Sequence, residues 1–116
     1  MSARVLVCGG RDYANVARVY LVLGLIHDER CVTAIIHGAA TGADSLAARW
    51  ADEMGVECIA CPADWATNGR AAGPIRNAEM LTHSPDIVVA FPGGRGTADL
   101  IRRAHSAGIY VIDGTA

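Results

Sequence analysis

The stretch DIVVAFPGGRGTADL, residues 86–100, holds a complete strand-to-helix unit. Asp86 to Phe91 is an apolar run of strand-forming residues. A proline and three glycines around Arg95 break it, and from Gly96 to Ala107 apolar positions recur at helical spacing until Gly108. The run is continuous rather than alternating, as expected of a strand covered on both faces in a parallel sheet.

Units of the same kind stand on either side. Arg4 to Cys8 (RVLVC), Thr33 to His37 (TAIIH), Val56 to Cys61 (VECIAC) and Ile109 to Ile112 (IYVI) read as four more strands. Asp12 is the expected N-cap of a helix to about Glu29, with Val16, Val19, Tyr20, Leu23 and Ile26 as its apolar stripe. A second helix, from Gly42 to Met54, turns Leu46, Ala47, Trp50 and Met54 inward and stops at Gly55. A third starts after Gly73, with Pro74 at the first helical position, and ends before Pro85. Strands alternating with helices across short links give right-handed crossovers. The fold expected is α/β, a Rossmann-like three-layer αβα sandwich on a five-stranded, mainly parallel sheet, forming one domain over residues 1–116. The link PADWATNGRAAG, residues 62–73, is expected to be irregular and to serve as a lid or binding loop.

The 116 residues suit one core, and 52% of them are hydrophobic against 19% charged, a globular balance. The longest apolar run, within VARVYLVLGLI, is too short and too interrupted to cross a bilayer, and MSARVLVCGG does not read as a signal peptide, so a cytoplasmic protein is expected. The net charge is −2, and all ten basic residues are arginine. Without lysine there is neither a Schiff base nor a Walker A lysine, and the acidic balance argues against broad nucleic-acid binding. Cys58 and Cys61 form a CxxC, but residues three apart on a strand point to opposite faces. No further CxxC or HxxxH joins them, so buried free thiols are expected and no metal. GGRDYA departs from the GxGxxG fingerprint, and no nucleophile motif occurs, so no cofactor is expected either.

In such a sheet ligands bind outside the carboxyl ends of the strands, where strand order reverses. Four segments fall there: GGRDY (9–13), HGAATGAD (37–44), PADWATNGRAAGPIRN (62–77) and PGGRGT (92–97). Glycines at a helix start let a ligand reach the backbone, and the unpaired N–H groups with the helix dipole favour an anion. The expected ligand-binding residues are Gly9, Gly10, Arg11, Asp12, His37, Gly38, Thr41, Gly42, Asp44, Trp65, Arg70, Arg76, Asn77, Gly93, Gly94, Arg95, Gly96 and Thr97. Guanidinium forks match phosphate, although at least one of these arginines is expected to pair with Asp12, Asp44 or Asp64. Asp44 either takes ribose hydroxyls or caps the second helix; His37 either faces the cleft or bonds a neighbouring backbone group; Trp65 either stacks on a base or packs the loop.

The ordered set GGRDY, HGAATGADSLAARWA, PADWATNGRAAGPIRNAEML and AFPGGRGTADLIRRA resembles the YspA-type, cpYpsA-related branch of the SLOG superfamily over nearly the whole chain. The resemblance implies a Rossmannoid domain that binds a phosphorylated, nucleotide-like small molecule, and a homodimer or higher homo-oligomer. Two other SLOG groups bring alternatives. The Lonely Guy phosphoribohydrolases share a PGGxGTxxE motif and an upstream RxxxM, matched here by Pro92, Gly93, Gly94, Gly96, Thr97, Arg76 and Met80. Their glutamate is replaced by Leu100, which cannot stabilise the positive charge that develops on ribose during base release. Asp99 and Glu79, with Arg76, are the candidate catalytic substitutes. Asp99, Arg102, Arg103 and Ser106 are expected on one polar helix face, and Thr97, Leu100, Ala104 and Ala107 on the buried one. The DprA-like relatives imply single-stranded nucleic acid, which the composition disfavours.

Overall fold

The computed structural model describes residues 2–115. Its strands are β1 (Ala3–Cys8), β2 (Val32–His37), β3 (Glu57–Ala60), β4 (Ile87–Ala90) and β5 (Tyr110–Asp113). Between them lie α1 (Val16–Arg30), α2 (Ala43–Met54), the single turn α3 (Trp65–Asn68), α4 (Ala72–Leu81) and α5 (Arg95–Ser106); a 3-10 turn, Gly69–Ala71, joins α3 to α4. All four strand pairings are parallel, in the order β3-β2-β1-β4-β5. The expected fold is therefore the one found, with a sheet parallel throughout. Val5 of β1 stands opposite Ile35 on one side and Ile87 on the other, so the direction of winding reverses between β1 and β4.

Alternation along the strands builds two cores. Val5, Val7, Ile35, Ile87 and Val89 face α1 and α2, where Val19, Leu23, Ile26 and Trp50 meet them. Leu6, Cys8, Ile36, Val88 and Ala90 face α4 and α5, against Met80, Leu100 and Ala104. Each fully buried branched side chain contributes on the order of 1.5–3 kcal/mol. Among the described residues no helix is long and apolar enough to cross a membrane.

Several boundaries differ from the sequence reading. The N-cap of α1 is Asn15, not Asp12; the Asn15 side chain accepts from the Arg18 N–H at 3.0 Å. The link after β3 is helical over Trp65–Asn68, with Asp64 accepting from the Thr67 N–H at 3.1 Å. Pro74 is the third residue of α4, not the first, which is tolerated because the opening N–H groups of a helix have no internal partner anyway. Met54 is 49% exposed rather than inward-facing, Ala51 being buried instead. Ala107 is exposed because α5 has already ended. VECIAC forms an edge strand whose Glu57, Cys58 and Ala60 are exposed, since only β2 pairs with it. All four cysteines are free, and only Cys8 and Cys61 are buried.

Candidate functional site

A cleft of about 680 Å³ opens at the carboxyl ends of β1 and β4, at the reversal of strand order. Gly10 knits its walls together. The Gly10 N–H donates to the Pro92 carbonyl at 2.7 Å, and the Gly10 carbonyl accepts from the N–H groups of Tyr13 and Ala43, both at 3.2 Å. Thr41 Oγ1 donates to the Arg11 carbonyl at 3.1 Å, and Tyr13 stacks on Phe91 with ring centroids 5.2 Å apart. Gly42, with φ +74°, lets α2 begin directly against Gly10 and Arg11. Loop-on-loop packing therefore accounts for several glycines that the sequence offered as ligand contacts.

Gly94 and Gly96 are different. A Cβ on either would meet nothing within 4 Å, and neither has a positive φ. Gly94 is the N-cap of α5, and among the described residues no side chain caps that helix, nor α2 or α4, whereas α1 and α3 are capped by Asn15 and Asp64. The glycine turn at the start of α5 is thus open toward the cleft, with the positive end of the helix dipole behind it.

Of the expected residues, Gly9, Gly10, Arg11, Asp12, Asp44, Trp65, Arg76, Asn77, Gly93, Gly94, Arg95, Gly96 and Thr97 line the cleft. His37, Gly38, Thr41, Gly42 and Arg70 do not. Tyr13, Ala40, Gly73, Met80 and Pro92, from the segments and motifs already placed at this edge but not named as ligand-binding, line it as well, and so do Val7 and Cys8 of β1, which the sequence reading did not bring in. Gly73 packs against Trp65 of the same link: a Cβ there would sit 3.4 Å from Trp65 Cη2.

Arg76 is held from two sides. Its Nη1 donates to the Gly38 carbonyl at 2.6 Å and its Nε to Asn77 Oδ1 at 3.2 Å. Gly38 has no room for a side chain because the guanidinium lies against it. Asn77 Nδ2 in turn donates to the Gly96 carbonyl and to Asp99 Oδ2, both at 3.0 Å. Asn77 is thus a strut between α4 and α5 that positions Arg76 beside the glycine turn. Arg11 reaches across the mouth, its Cζ 5.5 Å from the Trp65 ring centroid, a cation–π distance.

The expected pairing of a loop arginine with Asp12, Asp44 or Asp64 is not found. Among the described residues the ion pairs are Arg49–Glu53, Arg102–Asp99 and Arg103–Asp99. The acids serve the backbone instead: Asp64 caps α3, and Asp44 Oδ2 accepts from the Gly38 and Ala40 N–H groups at 3.1 and 3.2 Å. Burial raises the Asp44 pKa, against the pull of the Ala40 N–H, His37, Arg76 and the Gly38 N–H. Asp99 does not line the cleft; it holds Asn77, Arg103 and Arg102 at 3.0, 2.8 and 3.1 Å. Burial pushes its pKa up, but the Asn77 and Arg103 hydrogen bonds and the two guanidinium charges outweigh that and hold the carboxyl below its usual range. Glu79 is exposed and also lies outside the lining. Leu100 is 1% exposed, beneath the cleft in the second core.

His37 is buried, and its Nδ1 accepts from the Ala39 N–H at 2.9 Å, which places the proton of the neutral ring on Nε2. Of its two readings, the structural one describes its contacts. Burial lowers its pKa from 6.5, and Asp44 offsets this only in part. The unfolded chain therefore takes up this proton first as the pH falls through 6.5, and stability declines. His37→Asn keeps an acceptor for Ala39 and removes the titration. Thermal melts between about pH 7 and 5 should show a smaller fall in Tm for the variant than for the parent; equal falls would mean that His37 makes no contribution to the acid sensitivity.

Comparison with known proteins agrees with this architecture. A family model described as the YspA, cpYpsA-related SLOG family matches residues 3–67. The Gene 61 protein of Mycobacterium phage D29 is 38% identical over 118 residues, covering 95% of this chain and 94% of that one. DNA processing protein A (DprA) from Streptococcus pneumoniae superposes with a TM-score of 0.54 at 17% identity, covering 97% of this chain and 59% of that one, a likeness of fold. By its sequence match and its parallel α/β sheet, the chain belongs to the YspA, cpYpsA-related SLOG family.

Proposed function

We propose that the protein binds a phosphorylated nucleotide or nucleotide-derived small molecule, for sensing or sequestration in the cytoplasm. The observation that carries this reading is the open start of α5. Neither Gly94 nor Gly96 has a positive φ, and a Cβ on either would meet nothing within the chain; a ligand that must come close to the backbone supplies a reason for glycine at this turn. A phosphate seated there lies within the set formed by Arg76, Arg95 and the first N–H groups of α5. Arg11 and Trp65 offer flat faces for a base. Binding is favoured over base release because Leu100 is buried and Asp99 is consumed by Asn77, Arg102 and Arg103.

A panel of nucleoside monophosphates, ADP-ribose species and cyclic nucleotides tests this by thermal shift. A ligand at about 100 times its Kd adds roughly 2.7 kcal/mol, which raises Tm by several degrees. Arg76→Ala should remove most of the rise. Arg49→Ala, which breaks an exposed pair on α2, should leave it intact. If no phosphorylated compound stabilises the protein, or Arg76→Ala responds like the parent, the reading fails.

A further inference from the structure

Outside the cleft lining, Cys61, Glu79 and His83 converge. The thiol sulfur, a carboxylate oxygen and an imidazole nitrogen all lie within 4.8 Å of one another. Glu79 sits on the last turn of α4. The turn that follows continues the winding, with the His83 N–H donating to the Met80 carbonyl at 3.2 Å, so these two residues four apart fall on one side. Cys61 comes directly after β3, and its N–H donates to the His37 carbonyl at 2.8 Å. The His83 carbonyl accepts from Arg4 Nε at 2.9 Å. Two of the three residues are thus held at the backbone by bonds to other strands.

We propose that Cys61, Glu79 and His83 bind one divalent transition-metal ion, zinc foremost, with water in the fourth position. Sulfur, nitrogen and oxygen ligands together suit a borderline-soft ion and do not suit magnesium or calcium, which take oxygen. Around a tetrahedral zinc ion such ligand atoms stand about 3.5 Å apart. The present spacing closes to that value by torsions of Glu79, which is exposed, and His83, which is half-buried. Cys61 is the buried inner ligand, and the exposed Glu79 leaves solvent access for the water. Cys58 does not take part: it is exposed on the edge strand, with Asp52 of α2 as its charged neighbour. Coordination releases the Cys61 thiol proton to solvent. None of the three residues lines the cleft.

Cobalt(II) titration of the metal-free full chain is the test, because cobalt replaces zinc and reports a thiolate ligand by its near-ultraviolet charge-transfer absorption. The expected result is a thiolate band that saturates at one equivalent and is displaced by zinc. Cys61→Ser should abolish the band, and His83→Ala should weaken binding by at least about tenfold. Cys58→Ser and Cys31→Ser should bind as the parent does. Absence of the band, its persistence in Cys61→Ser or its loss in Cys58→Ser overturns the site. If Cys61→Ser does not fold, His83→Ala decides alone, and unchanged affinity in that variant overturns the site equally.

Discussion

Leu100→Glu destabilises the protein by several kcal/mol, even though it restores the glutamate of the PGGxGTxxE motif. Leu100 is 1% exposed and packs with Leu6, Ile36, Met80 and Val88. A carboxylate placed there has no partner, and burying an unpaired charge costs more than losing the leucine contacts, themselves worth about 2–5 kcal/mol. The folded state avoids the charge by keeping the carboxyl protonated, so its folded pKa rises above the unfolded value of about 4.3. The penalty accordingly grows as the pH climbs past about 4.3. Urea denaturation at about pH 4 and pH 7 separates the two contributions, with the larger loss expected at the higher pH. A variant within about 0.5 kcal/mol of the parent at both would mean that this side of α5 opens onto the cleft.

Gly42→Ala is the second large effect. A Cβ at Gly42 would meet the Arg11 carbonyl carbon and oxygen, both at 2.6 Å, and the Gly10 carbonyl oxygen, on a residue whose φ is +74°. These are backbone atoms, and Gly10 cannot retreat without breaking its bonds to Pro92, Tyr13 and Ala43. The strained backbone, with ψ −129° beside its positive φ, contributes about 1–3 kcal/mol and the overlap about 1–3 more. Gly55→Ala is the milder reference, because its φ of +69° and ψ of 29° lie in the left-handed helical region and nothing lies within 4 Å of its added Cβ. Gly55→Ala should lose only the left-handed part, about 1–2 kcal/mol. Gly42→Ala should lose more, and should also lose any thermal shift given by ligand. Equal losses in the two variants would show that the Gly10 junction yields to its neighbours.

The strands were legible because a parallel sheet between helices writes itself as unbroken apolar runs, and each of the five was read to within about two residues. Helix starts were less legible. Asp12 and Asn15 are both capping types three residues apart, and only the loop packing around Tyr13 determines which one meets an N–H. The cleft could be placed from the glycines, but the division of labour among them could not. A Cβ at Gly10 or Gly42 would strike chain remote in sequence, whereas one at Gly94 or Gly96 would meet nothing within 4 Å, and no local pattern separates the two kinds. The same limit hid Asn77 as a strut and Asp99 as its partner. Spacing within the CxxC correctly set Cys58 and Cys61 apart, yet a spacing rule cannot bring in Glu79 and His83 from across the link.

The central place of β1 has a further meaning for partial chains. Its two neighbours, β2 and β4, are contributed by opposite halves of the sequence, with Val5 facing Ile35 and Ile87. A fragment ending at Thr67, the reach of the family match, carries Arg11, Asp44 and Trp65 but lacks Arg76 and the whole glycine turn. The cleft therefore draws on both halves of the sequence: a product cut short before α5 keeps the β1 loop and Arg76 but lacks Arg95, Gly96 and Thr97 of the lining.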